Sequence, residues 1–165
     1  MRVTVLILLA LLASPAEAAC RLGIGAANAD SFYALSAESV GTVEAQCTFH
    51  VEQWQAAAGY IGEQGRDEYA NVEPFGYALV ARQFRLYRGT TSGPFASVGL
   101  MARTRSDYIE DILPSWWNFA LSAGFDAGKW RVEYRHYSNA GLEQPNRGQN
   151  LLIISRAIGP GKGTP

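Results

Sequence analysis

From Arg21 onward, apolar and polar residues alternate at a spacing of two, in runs broken by Gly, Asn, Asp and Pro. A two-residue period is what a β-strand shows when its two faces meet different surroundings. Eight such runs stand out, at 21–27, 43–51, 54–62, 75–87, 95–104, 116–126, 130–138 and 150–158. Turn residues separate several of them: Gly65-Arg66-Asp67, Gly89-Thr90-Thr91-Ser92-Gly93-Pro94, Asp126-Ala127-Gly128 and Pro145-Asn146-Arg147-Gly148. The segment 34–40 is ambiguous, and no other stretch carries helical periodicity. No internal repeat is present.

The faces say what kind of β-protein this is. In 130–138, Trp130, Val132, Tyr134, His136 and Ser138 share one face, and Arg131, Glu133, Arg135 and Tyr137 the other. In 43–51, Val43, Ala45, Cys47, Phe49 and Val51 oppose Glu44, Gln46, Thr48 and His50. Trp117, Phe119, Leu121, Ala123 and Phe125 oppose Asn118, Ala120, Ser122 and Gly124. A water-soluble sandwich also alternates. Here, however, charged and amide side chains keep to one face, and Trp54, Trp116, Trp117 and Trp130 stand at strand ends like an aromatic girdle. An even strand number fits a small closed barrel whose narrow interior is filled by side chains. The expected fold is therefore all-β, an eight-stranded antiparallel β-barrel of the transmembrane, outer-membrane type, apolar outside and polar inside. The competing architecture is a lipocalin-like barrel with the faces reversed, a soluble periplasmic ligand binder. Arg131, Glu133, Arg135, Glu44, Arg82 and Arg85 are expected to include an ion-pair network in the lumen, with His50 a structural lumen residue.

Composition narrows the classes. The chain has 165 residues, enough for one domain, and 14 Lys+Arg against 15 Asp+Glu give a net charge of −1. That balance points to neither nucleic acid nor a polybasic membrane-surface role. With 17 Gly, 8 Tyr, 7 Phe and 4 Trp but only 18% charged residues, disorder and coiled coil are excluded. Arg2, the apolar run 3–13 and Ala16-Glu17-Ala18 read as a signal peptide over 1–18, leaving 19–165 as the barrel domain. In an exported chain Cys20 and Cys47 can form a disulfide or remain two packed thiols; both readings stay open. The chain ends Lys162-Gly163-Thr164-Pro165, whereas outer-membrane barrels usually finish on an aromatic residue.

Chemistry concentrates at 134–150. His136 and Ser138 are two apart, so on a strand their side chains project from one face and the imidazole can act as base to the hydroxyl. His-x-Ser alone is a weak signal. The longer run His136-Tyr137-Ser138-Asn139-Ala140-Gly141-Leu142, followed by Gln144-Pro145-Asn146 and Gly148, resembles the signature of the lipid A 3-O-deacylase (PagL) family. The resemblance implies an eight-stranded barrel in the outer membrane of a Gram-negative bacterium (the periplasm being the second choice). It also implies an ester hydrolase that removes the 3-hydroxyacyl chain at position 3 of lipid A. Its partner would be lipid A or lipopolysaccharide, with homodimerisation left open and no nucleic acid.

By the same resemblance Ser138 matches the nucleophile and His136 the base. The acid position, a glutamate in the family pattern, falls on Asn150. Three consequences are open: Asn150 orients His136 in a slower triad, Glu143 substitutes as the carboxylate, or activity is lost and a structural or lipid-binding barrel remains. Asn139, Gly141 and Asn146 are candidate oxyanion donors, or simply turn residues. His136 and Ser138 lie on the apolar face, where a hydrolase of a membrane-embedded chain would hold its nucleophile. Gly23-Ile24-Gly25 lacks the rest of a dinucleotide loop, and the Lys of Gly159-Pro160-Gly161-Lys162-Gly163-Thr164 is not followed by Ser or Thr, so neither is a nucleotide site. With two His and no cluster of Cys or Asp, neither a metal site nor a cofactor is expected.

Overall fold

The computed structural model describes residues 19–28, 39–49, 54–63, 73–87, 92–104, 113, 115–143 and 148–158. The expected signal peptide, His50, most of the ambiguous segment 34–40 and the C-terminal tail lie outside them. Eight strands run in chain order: β1 (Ala19–Asn28), β2 (Val40–Phe49), β3 (Trp54–Ile61), β4 (Phe75–Arg85), β5 (Gly93–Arg103), β6 (Trp117–Ala127), β7 (Trp130–Ser138) and β8 (Gln149–Ile158). Each is antiparallel to its neighbours, and β1 pairs with β8, so the sheet closes into a barrel without an edge. Closure satisfies the backbone donors and acceptors inside the wall, which a segment in hydrocarbon requires. The strands are 8–11 residues long, the length a tilted strand needs to cross a bilayer, about 9–11. The expected runs agree with these strands to within three residues at each end.

The outer face is apolar. Leu22, Ile24, Val43, Val98, Leu100, Phe119, Leu121, Phe125, Val132 and Ile154 are all exposed, Ile24 by 70%. A water-soluble barrel would bury these residues; here they form a belt that matches lipid. Cys20 and Cys47 face each other across β1 and β2 and are joined by a disulfide.

The interior divides into two zones. Around mid-height Arg135, fully buried, bridges Glu44 and Glu133, with 2.7 Å from Nη2 to Glu133 Oε1. Tyr77 donates its hydroxyl to Glu44, and Gln46 its amide to Glu133. Toward the end carrying the β2–β3 and β6–β7 turns, Asp126 is gripped by Arg131 at 2.8 Å through two nitrogens and by Arg85 at 3.1 Å, with Arg21 at 3.5 Å. Phe95 lies across Gly124, where an added Cβ would come within 2.6 Å of the ring. The Arg131 guanidinium stacks on that same ring at 4.2 Å.

Toward the opposite end the lumen is mixed: Ile61, Phe75, Met101, Leu113 and Leu151 are fully buried, beside buried Thr42, Arg103, Asn118 and Gln149. The polar-inside expectation therefore holds along the barrel, with one correction, an apolar cluster that shares this end with the polar residues. A closed eight-stranded wall leaves just enough room for side chains, so its interior behaves as a packed core and accepts apolar residues as readily as paired charges. Arg82 is the second correction. It sits on the outer face, stacked on Phe84 at 5.7 Å, because β4 turns Phe75, Tyr77, Leu79, Ala81 and Gln83 inward and the even positions out.

Removing the cation from the mid-height cluster leaves two carboxylates in a dry interior. Arg135→Met is expected to destabilise the barrel by about 3–5 kcal/mol. Replacing Glu44, Glu133 and Arg135 together by apolar residues of similar volume costs much less. Heat-modifiability on gels, followed against temperature, measures both; equal losses in the two variants would contradict this account.

Candidate active site on the outer face of the barrel

Strand parity positions the site. On β7, Arg131, Glu133 and Arg135 are buried in the lumen, so Trp130, Val132, Tyr134, His136 and Ser138 must point outward. Register supplies their neighbours. His136 faces Leu121 on β6 and Asn150 on β8, while Ser138 faces Phe119. Directly opposed residues on one face of an antiparallel pair have Cβ atoms about 4.5–5.5 Å apart, close enough for side chains to bond. The imidazole Nδ1 of His136 lies 2.8 Å from Asn150 Oδ1. An amide oxygen there accepts a hydrogen bond from Nδ1–H, which leaves Nε2 as the basic nitrogen. Tyr134, diagonal to Asn150, donates its hydroxyl to the same Oδ1 at 2.8 Å. Asn150 is buried although it stands on the outer face, because His136 and Tyr134 cover it.

The connection between β7 and β8 is shaped around the same ring. Gly148 has φ +75°, and a Cβ placed on it would meet His136 Cε1 at 2.6 Å and the Tyr137 carbonyl oxygen at 2.9 Å. Glycine is required there twice, for the left-handed backbone and for the space the imidazole occupies. At the start of the connection Ala140 and Gly141 both adopt positive φ, and the Leu142 N–H closes a turn onto the Asn139 carbonyl at 3.2 Å. Asn139, buried, holds this turn from inside: its Oδ1 accepts from the Gly141 N–H at 2.9 Å and its Nδ2 donates to the Glu143 carbonyl at 3.0 Å. The Ala140 N–H donates to Ser138 Oγ at 3.1 Å.

Of the expected site residues, the fold thus brings Ser138, His136, Asn139, Gly141 and Asn150 to one corner of the outer surface. Asn146 lies outside the described residues. The Glu143 carboxylate is turned to Ser115, whose hydroxyl donates to it at 2.6 Å, while Nδ1 of His136 meets Asn150. Tyr134 and Gly148 belong to the site although the sequence alone gives them no role in it. Parity could have found Tyr134, since it stands two residues before His136 on the same face. Around the corner the surface is apolar: Trp116 and Trp117 pack with ring centroids 5.9 Å apart, and Phe119, Leu121 and Leu142 are exposed. A serine on the same face as an oriented imidazole, opening onto apolar surface, has the makings of a nucleophile for an ester held in lipid.

Comparison with known proteins bears on this corner. The chain is similar over 86% of its length to the crystal structure of the outer membrane enzyme PagL, of which it covers 99%, with a TM-score of 0.57 and 22% identity. The backbone structure of the Yersinia pestis outer membrane protein Ail in a phospholipid bilayer nanodisc gives a TM-score of 0.44 and 12% identity, over 86% of this chain and 100% of that one. No curated protein matches. The model of the family lipid A 3-O-deacylase (PagL) matches residues 40–158, from the second strand to the end of the eighth and across the whole site. With the closed eight-stranded barrel of that outer membrane enzyme and a family match over most of its length, the chain belongs to the lipid A 3-O-deacylase (PagL) family.

Proposed function

We propose that this barrel is an outer-membrane serine esterase that removes the ester-linked 3-hydroxyacyl chain at position 3 of lipid A. The observation that carries the reading is the His136–Asn150 contact at 2.8 Å, two residues from Ser138 on the lipid-facing side of β7. Orientation in the membrane supports it. The site end carries the longer connections 29–39, 62–74, 104–116 and 139–148, whereas the shorter 50–53, 86–92 and the two-residue turn Gly128-Lys129 lie at the other with the two ends of the barrel wall. In outer-membrane barrels the long loops face outside, so the site meets the leaflet that holds lipopolysaccharide.

The chemistry follows from the atoms present. His136 Nε2 takes the Ser138 Oγ proton as the oxygen attacks the ester carbonyl. The Gly141 N–H and the Asn139 side-chain amide are engaged within the turn, so the tetrahedral oxyanion is met by the Ala140 N–H, which points at Ser138 Oγ, or by Asn146. Collapse breaks the bond to the sugar oxygen, which receives the proton back from His136. The acyl group, now on Ser138, is released by water activated through the same nitrogen, giving a free 3-hydroxy fatty acid. Asn150 holds His136 in the tautomer with the proton on Nδ1, but a neutral amide offsets less of the imidazolium charge than a carboxylate does. Acylated lipid lies along Phe119 and Leu121 on β6, beside the nucleophile.

Kinetics on purified barrel with detergent-dispersed lipid A test this. Ser138→Ala is expected to lower turnover by at least about 10³-fold with the barrel intact. Asn150→Glu restores the family carboxylate and is expected to raise turnover by about tenfold, the gain from a charged over a neutral acceptor; a wild type without activity that gains none from Asn150→Glu would instead favour the structural barrel. Gly148→Ala, which drives a methyl into the imidazole, is expected to lose about tenfold or more in turnover while keeping heat-modifiability.

A further inference from the structure

We propose that Tyr134 is a positioning residue: its hydroxyl fixes which end of the Asn150 amide faces His136, and so sets the proton position on the imidazole. The inference rests on the hydrolase reading above and extends it to a residue on the lipid face that the family signature 136–148 does not include. Its basis is the convergence of two groups on one atom, Tyr134 Oη and His136 Nδ1, each 2.8 Å from Asn150 Oδ1.

An asparagine at this position has a weakness that a glutamate or aspartate lacks. A carboxylate presents two equivalent oxygens, so either one accepts from Nδ1–H. An amide presents an oxygen at one end and an NH₂ at the other. Turned one way, it accepts from Nδ1–H and leaves Nε2 bare, ready to take the Ser138 proton. Turned the other way, it donates to Nδ1 and forces the imidazole proton onto Nε2, where it blocks the base. The two orientations have nearly the same shape, so packing alone distinguishes them poorly. A second donor at the same end of the amide favours one of them.

That donor is a phenol. Its oxygen lone pair is delocalised into the ring, so Tyr134 donates well and accepts poorly. It favours the amide orientation with Oδ1 toward it, the same oxygen that faces His136. A carbonyl oxygen has two lone pairs, so it satisfies both donors at once. Register makes the arrangement rigid: Tyr134 opposes Leu152, His136 opposes Asn150, and the Tyr134 side chain reaches diagonally across to Asn150. Tyr134 is half-buried and stands four residues before the nucleophile on β7, with Asn150 as the partner that links it to His136.

Two measurements test this, and they fail separately. The first is a double-mutant cycle on purified barrel. Tyr134→Phe is expected to lower kcat about five- to tenfold with KM within about twofold, the worth of one hydrogen bond. In an Asn150→Asp background, where there is no amide to orient, the same substitution is expected to cost about twofold or less. Equal costs in the two backgrounds would mean that Tyr134 merely packs, and would overturn the proposal. The second is ¹⁵N NMR of the His136 side chain in detergent at alkaline pH, assigned against His136→Gln. The wild type is expected to hold the proton on Nδ1, with Tyr134→Phe moving a substantial fraction to Nε2. An unchanged tautomer would overturn the proposal whatever the activity. Should Tyr134→Phe not form the heat-modifiable barrel, Tyr134→Leu takes its place in both experiments. A wild-type barrel that removes no acyl chain defeats the hydrolase reading, and the NMR result then decides the role of Tyr134 alone.

Discussion

Closure of eight strands around a space no wider than their own side chains is the constraint on which the molecule turns. Every residue in the wall has two directions available, a packed lumen or the outer surface. The lumen is committed to Arg135 between Glu44 and Glu133, to Asp126 among Arg131, Arg85 and Arg21, and to the apolar plug around Phe75 and Leu151. No substrate can be worked on there. Any chemistry that this wall performs must stand on the outside, among residues that face lipid.

That inversion explains the site. A polar pair on a lipid-facing surface is costly unless its hydrogen bonds are made locally. His136 and Asn150 meet this requirement by register, since adjacent strands set them directly opposite each other, and Tyr134 completes the amide oxygen. At the strand end Asn139 holds the turn through Gly141, and Gly148 leaves the ring its space where β8 begins. The site is thus two strands, one turn and a few side chains, held by the ladder of the barrel rather than by a pocket. The apolar surface around it, Phe119 and Leu121 above all, is continuous with the belt that anchors the barrel.

Much of this was legible in the amino-acid order, for a physical reason. A period of two with turn residues between runs is produced by β-strands and by little else, so the strands and the outward direction of His136 and Ser138 followed from parity. What escaped were features that depend on which residues meet across the sheet. Arg82 is expected in the lumen because β4 is apolar on both faces and its alternation carries no sign; the structure puts it outside on Phe84. The apolar cluster within the lumen was hidden likewise, since Phe75, Leu79 and Leu151 could sit on either side. The two open fates of Cys20 and Cys47 were decided by pairing of β1 with β2. Glu143 and Asn150 could both be imagined near His136 until register put Asn150 opposite it and Ser115 engaged Glu143. In the sequence Tyr134 is one more aromatic on the lipid face; the fold puts its hydroxyl on the Asn150 oxygen.

The central claim is that a serine on the lipid-facing wall, served by a histidine oriented through an amide, cuts an acyl ester of lipid A. The most direct measurement is mass spectrometry of lipid A extracted from cells that express the barrel, beside cells that express Ser138→Ala at equal levels in the outer membrane. The account expects lipid A to lose the mass of one 3-hydroxyacyl group with the wild type and to keep it with Ser138→Ala. Unchanged lipid A in both, with the barrel folded in the membrane, or the same loss in both, would contradict it.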